Sequence, residues 1–262
     1  MLKKIIIKLG TGILSSGKGA VRTDRMEQLA ESIASLSKEG IQTIIVSSGA
    51  VGLGMGKLGL EERPKDLALS RACASIGQCR LMNAWSDSLE KAGLIASQVL
   101  VTREDFENKK RSQKVEETLN TLLNRNIIPI VNENDSVSDE EIKFGDNDVL
   151  SALLASIGKA DFLIILSTVK GLMTHPTSGS LIPYVAEITP SIDAMAKGTH
   201  SPTAVGGMVT KIEAAKIACQ AGCAVFIGSG ENPSLLGDIV KGNNVQGPFF
   251  APSGLTLSER KK

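Results

Sequence analysis

The chain has 262 residues, with 29 Lys and Arg against 28 Asp and Glu, a net charge of +1, 42% hydrophobic and 3% aromatic residues. Such a near-neutral balance lacks the basic footprint of a general nucleic-acid or polybasic membrane-surface protein, so a bound anion must be met by a local site. One Trp, one Tyr and six Phe leave little for base-stacking platforms or aromatic-anchored interfaces.

The length suits one α/β domain over residues 1–262. No run of eighteen apolar residues occurs, and MLKKIIIKLGTG has charges on both sides of a stretch too short for a signal peptide. The expected location is cytoplasmic, with no membrane and no nucleic-acid partner. Cys73, Cys79, Cys219 and Cys223 form neither a disulfide framework nor a C-x-x-C pair, and read as inert thiols.

In chain order, near-continuous apolar runs predict strands at Ile5 to Leu9, Ile41 to Ser47, Leu94 to Val101, Ile127 to Val131, Phe162 to Ser167 and Cys223 to Ile227. Between them, helical patterns run from Thr23 to Glu39, Pro64 to Ala92, Arg111 to Asn126, Asp146 to Gly158 and Gly207 to Ala221, several stopped by glycine. Strands buried on both faces and alternating with helices give an α/β fold, an open and mainly parallel sheet between helix layers. Ligands of such sheets lie beyond the carboxyl ends of the strands. Residues 170–203 are rich in Thr, Ser, Pro and Gly yet keep apolar residues, which reads as an elaborated insert or lid. His175 and His200 lie there and read as surface or lid residues.

Two glycine patterns are refused. The P-loop-like run from Gly12 through Gly17 and Lys18 ends in Gly19 where a magnesium-binding Ser or Thr is required, and no helix pattern begins there. Gly54-Met-Gly56-Lys-Leu-Gly59 spells a dinucleotide fingerprint but follows its strand too late and opens no clear helix.

The polar clusters at the strand ends carry the chemistry. Lys8 closes a buried strand ahead of Gly10-Thr-Gly12, where a buried ammonium asks for an anion and glycines let backbone N–H groups approach one. Ser47-Ser48-Gly49-Ala50 is either an anion cradle or a simple helix cap. Asn132 to Val137 places amides and carboxylates behind an apolar strand, and Gly145-Asp146-Asn147-Asp148 brings more acidic groups to a helix start than capping requires. Gly206-Gly207 open a helix with Lys211 one turn in. Lysines, glycine turns and helix N-termini suit a polyphosphate, whereas Asp and Asn suit an amine-bearing partner. An ionised carboxylate acceptor needs no general base, in keeping with only two histidines.

In order and over nearly the whole chain, KLGTGIL, VSSGAV, VNENDSV, KFGDNDVLSALLA and GGMVTKIEAA resemble the glutamate 5-kinases of the amino acid kinase family. The resemblance implies ATP- and Mg²⁺-dependent phosphorylation of the L-glutamate side-chain carboxylate, the first step towards proline. It makes Lys8, Lys211 and Asp148 the catalytic set, the lysines neutralising the phosphoryl group and Asp148 holding them without abstracting a proton. It assigns glutamate to Ser48, Asp135 and Asn147, with Gly49, Asn134 and Asp146 as neighbours. It assigns the nucleotide to Lys8, Gly10, Ser167, Thr168, Val205, Gly206, Gly207, Met208, Val209, Thr210 and Lys211, and to no protein metal site. Feedback inhibition by proline and a homodimer or homotetramer are also implied.

Three departures accompany it. Ser167-Thr168 stands for the usual Thr-Asp, Gly171-Leu172-Met173 for GLY, and Ala204-Val205-Gly206-Gly207-Met208 for GTGGM. The chain ends at Lys262 with no room for the RNA-binding-type PUA domain of many relatives. Two other readings stay open: a family member acting on a different carboxylate, and a non-catalytic amino-acid or nucleotide sensor.

Overall fold

The computed structural model describes residues 2–16, 19–138, 147–175, 179–197, 207–243 and 245–253. Its elements are β1 (Lys4–Leu9), α1 (Thr11–Leu14), the hairpin β2 (Ser15–Ser16) and β3 (Ala20–Val21), α2 (Thr23–Lys38), β4 (Gln42–Ser47), α3 (Ala50–Leu58) and α4 (Leu67–Lys91). There follow β5 (Ile95–Val101), α5 (Glu104–Glu107), α6 (Lys109–Leu123), β6 (Ile127–Glu133), α7 (Asn147–Gly158) and β7 (Phe162–Ser167). The last are β8 (Tyr184–Val185), α8 (Pro190–Lys197), α9 (Met208–Gln220), β9 (Ala224–Ser229), α10 (Leu236–Lys241) and β10 (Phe249–Phe250).

The main sheet has eight strands in the order β5-β6-β4-β1-β7-β9-β10-β8, and the first six are mutually parallel. β10 runs antiparallel to β9 and pairs with β8. From the central β1 the chain passes to β4 on one side and later returns across it to β7 on the other. The strand order therefore reverses at β1, and the crevice of an open α/β sheet opens at the carboxyl end of such a strand.

Alternation along the strands sorts side chains into two cores. Ile5, Ile7 and Leu9 join Ile45, Ile128 and Ile130 beneath α2 and α4, where Met26, Leu29, Ile33, Leu81, Trp85 and Leu89 are buried. Ile6, Ile44, Val46 and Val131 face the other way, against Leu150 and Leu154 of α7 and Ile212 and Ala215 of α9. Since every second residue shares a face, Lys8 follows Ile6 towards α7 and α9, while Ser47 and Asn132 follow Ile45 and Ile130 towards α4.

All six predicted strands are present, and the helix ends shift for local reasons. α4 begins at Leu67 instead of Pro64, because Asp66 is extended and its carboxylate accepts from the N–H groups of Ala68 and Leu69. Asn108 likewise caps α6, which stops before Asn126, a residue in the left-handed region at φ 56°. The predicted start at Asp146 lies outside the described residues.

The GMGKLG segment is helical, contrary to expectation. Its first five residues belong to α3, Gly59 caps the helix in the left-handed region, and Gly54 serves helix packing. A Cβ on Gly54 would lie 1.9 Å from the carbonyl oxygen of Cys73, and one on Gly77 would lie 1.7 Å from that of Ala50, so α3 and α4 touch backbone to backbone. The described part of the 170–203 insert is built into the fold, with β8 on the sheet edge and α8 beside α9.

Candidate active site

Three sequence-predicted residues meet in the α7–α9 face at the end of β1. Lys8, Asp148 and Lys211 are 2%, 0% and 4% exposed. The Lys8 ammonium lies 2.6 Å from Asp148 Oδ1, and that of Lys211 lies 3.0 Å from Oδ2. Thr210 Oγ1 also donates to Oδ2, at 3.0 Å. Three elements create this contact. β1 aims Lys8 by strand parity, α7 presents Asp148 in its first turn, and α9 starts after extended Gly207 with Lys211 one turn in. Burying charges without partners costs several kcal/mol per ion, so this centre holds only as a set. The two ammonium groups brought to one point at the strand end suit an anionic ligand.

Beside it lies a neutral amide cluster. Asn147, next to Asp148 in α7, donates from Nδ2 to the Ser47 carbonyl at 3.1 Å, to Ser48 Oγ at 2.9 Å and to Asn132 Oδ1 at 2.8 Å. These bonds join the carboxyl ends of β4 and β6 to the α7 N-terminus. Ser48 makes no cap bond, so a simple serine cap does not account for Ser47–Ala50, and α3 is entered through Gly49 at φ 109°, where glycine is required. Because Ser48 Oγ accepts from Asn147, its hydroxyl proton is left to point at a ligand oxygen.

The remaining predicted residues that the structure describes fall at the same sheet end. Gly10 follows β1, its N–H donating to the Leu166 carbonyl of β7 at 3.0 Å, which puts the glycine turn beside Ser167 and Thr168. Ser167 is buried and Thr168 exposed. Met208 is buried and Val209 exposed at the start of α9. Asn134 and Asp135 are half-buried in a turn tied to α4 and β5: Asn134 donates its N–H to the Val101 carbonyl, Arg71 Nη2 to that of Ser138, and the Ser75 and Ser136 hydroxyls pair at 2.8 Å. Asp146, Val205 and Gly206 lie outside the described residues, as does His200; His175 is exposed.

The sequence reading missed the supports. Trp85 is fully buried on α4 and donates from Nε1 to Ser47 Oγ at 3.0 Å, and Gln78 on the same helix accepts from Asn132 Nδ2 at 2.9 Å. Helical periodicity could mark both as inward-facing but not name their partners. Cys219 and Cys223 are buried apolar thiols. Burial raises both, that of Cys219 to about 12.

A sheet with its crevice at the central strand, closed by a buried lysine–aspartate–lysine set, defines a phosphotransferase-type α/β fold. The family model described as the amino acid kinase family matches residues 3–229, and the chain belongs to that family. Solved structures share the fold: carbamate kinase from Giardia lamblia bound to AMP-PNP, at TM-score 0.68 and 18% identity over 96% of this chain and 99% of that one, and isopentenyl phosphate kinase, at TM-score 0.65 and 17% identity over 95% and 100%.

Within the family it sits among the glutamate 5-kinases. That of Geobacter sulfurreducens is 42% identical over 99% of this chain and 70% of its own length, and that of Clostridium perfringens is 40% identical over 96% and 97%.

Proposed function

We propose that the chain transfers the γ-phosphoryl group of ATP to the side-chain carboxylate of L-glutamate, giving L-glutamyl 5-phosphate and ADP, a reaction that leads towards proline. The observation carrying this reading is the buried Lys8–Asp148–Lys211 set beside the Asn147–Ser48 amide cluster. A glutamate carboxylate oxygen forms the new bond to the γ-phosphorus as the bond from phosphorus to the β–γ bridging oxygen breaks. The acceptor is already ionised at neutral pH, so no residue has to remove a proton. Lys8 and Lys211 neutralise charge on the transferring group from two elements, and Asp148 fixes where their ammonium groups stand. Preorganised charge of this kind is the main catalytic resource in phosphoryl transfer.

Ser48, Asn147 and Asp135, with Gly49, Asn134 and Asp146 around them, hold glutamate. Ser48 donates to a carboxylate, and the acidic and amide oxygens receive the ammonium. Gly10, Ser167, Thr168 and the run from Val205 to Lys211 face the nucleotide. Asp148 has its oxygens committed to lysines and Thr210, and no cluster of three His, Cys, Asp or Glu able to hold a metal occurs among the described residues. Mg²⁺ bound with the nucleotide would be held by its phosphate oxygens and water and would screen phosphate charge. Regulation by proline, a homo-oligomer and a cytoplasmic site of action complete the reading; no helix among the described residues is long and apolar enough to cross a membrane.

Hydroxamate formation from ATP, hydroxylamine and a panel of glutamate, aspartate, N-acetylglutamate and carbamate tests it. Glutamate is expected to be the preferred acceptor, with the rate falling when millimolar proline is added. Preference for another acceptor, or ATP and glutamate binding without ADP release, refutes the reaction; indifference to proline removes only the regulation.

A further inference from the structure

From the amide cluster we infer that Gln78, on α4, is a positioning residue for the acceptor site: its carboxamide oxygen completes the set of bonds that hold Asn132 in place and, through it, Asn147 and Ser48. The inference rests on the reading of Ser48 and Asn147 as glutamate contacts.

Two backbone groups fix the direction of the chain of amides. The Glu133 N–H, which can only donate, points at Asn132 Oδ1 at 2.9 Å. The Ser47 carbonyl, which can only accept, faces Asn147 Nδ2 at 3.1 Å. Asn132 must therefore present its oxygen to Asn147, and its Nδ2 must find an acceptor on the other side. The acceptor is Gln78 Oε1, at 2.9 Å. Gln78 is only 9% exposed, and its Nε2 is buried with no hydrogen-bond partner among the described residues. The working atom of this side chain is thus its oxygen, since a buried donor has been left unsatisfied to place it there.

Turning the Gln78 amide over would set Nε2 against Asn132 Nδ2, donor against donor. Asn132 could answer only by turning its own nitrogen towards Asn147 Nδ2 and the Glu133 N–H. Asn147 would then lose its acceptor on β6 and be held by the Ser47 carbonyl and Ser48 alone, which loosens the donor that leaves the Ser48 proton free for a ligand. Polarity at Gln78 is in this way transmitted through two amides to the hydroxyl at the ligand. The nucleotide side, centred on Lys8 and Lys211, has no part in the relay.

The test measures KM for glutamate and for ATP, and kcat, in the hydroxamate assay, for wild type, Gln78→Met and Thr43→Val. Met keeps the volume and removes the acceptor. Thr43→Val deletes another buried polar atom without a hydrogen-bond partner among the described residues, in β4, and controls for general loosening. The expected result is a glutamate KM raised about tenfold or more in Gln78→Met, with ATP KM and kcat within twofold, and no change in Thr43→Val. A Gln78→Met enzyme with unaltered glutamate KM, parallel changes in both KM values, or a Thr43→Val enzyme with the same rise in glutamate KM overturns the positioning role. Wild type that fails to turn over glutamate overturns the substrate reading and this inference with it.

Discussion

Replacing Asp148 with Asn removes the one carboxylate shared by the two buried lysines while keeping its size. Bonded to opposite oxygens of Asp148 at 2.6 and 3.0 Å, the two ammonium nitrogens lie within roughly 8 Å of each other, a repulsion of about 2 kcal/mol at an effective dielectric constant of 20. Adding the lost attraction, the variant should lose about 3–5 kcal/mol of stability, the usual cost of stripping a buried charge of its partner. In Lys8→Met, by contrast, Lys211 and Asp148 remain as a balanced pair, so its stability should fall by no more than about 2 kcal/mol even as phosphoryl transfer collapses. Urea unfolding gives the stabilities, provided the m values agree, and hydroxamate formation gives the rates. An Asp148→Asn protein as stable as wild type, or Lys8→Met destabilised more than Asp148→Asn, refutes the account of Asp148 as the holder of both lysines.

Two further outcomes follow from the packing. Gly77→Ala should destabilise by about 1–3 kcal/mol in urea unfolding, because its Cβ meets the Ala50 carbonyl at 1.7 Å. At an open helical position the same change would stabilise by about 1 kcal/mol, so the sign decides whether the backbone contact is real. In native protein a thiol reagent should titrate Cys79 alone at pH 8. Cys73, Cys219 and Cys223 should react only on unfolding, since all three are buried and burial raises the Cys219 thiol to about 12 and Cys223 above its usual range. Prompt reaction of two or more thiols would contradict the buried environment of α9's end.

The fold was legible because the strongest signals were local. Six apolar runs without in–out alternation predict strands covered on both faces; each became a strand of the parallel sheet, and β1, β4, β6, β7 and β9 are buried as expected, whereas β5, at the sheet edge, stays largely open on its faces. Short β8 and β10 carry no such run; they exist because residues 184–185 and 249–250 find each other at the sheet edge. A helix start at Ala50 was legible, but its extension through GMGKLG was not, because AVGLGMGKL carries three glycines, and Gly54 is explained only by the α4 backbone that it meets.

At the site, a lysine ending a buried strand, acidic groups crowding a helix start and a glycine-led helix with a lysine one turn in drew attention to the segments, and the resemblance to the glutamate 5-kinases singled out Lys8, Asp148 and Lys211 within them. Their mutual contact depends on strand parity and on α7 and α9 sharing one face, which spacing along the chain does not encode. Gln78 and Trp85 were invisible for a related reason. Seven residues apart, they share one face of α4, yet nothing in LALSRACASIGQCRLMNAWSDSLEK says that this face ends against Asn132 and Ser47.

The central claim is that a lysine from β1 and a lysine from α9 jointly neutralise the phosphoryl group passed to glutamate. The rate of glutamyl hydroxamate formation at saturating ATP and glutamate in Lys8→Ala and Lys211→Ala, each confirmed folded by circular dichroism, tests it most directly. The account predicts a loss of at least about 10²–10³-fold in each. Either variant, folded and turning over at the wild-type rate, would contradict it.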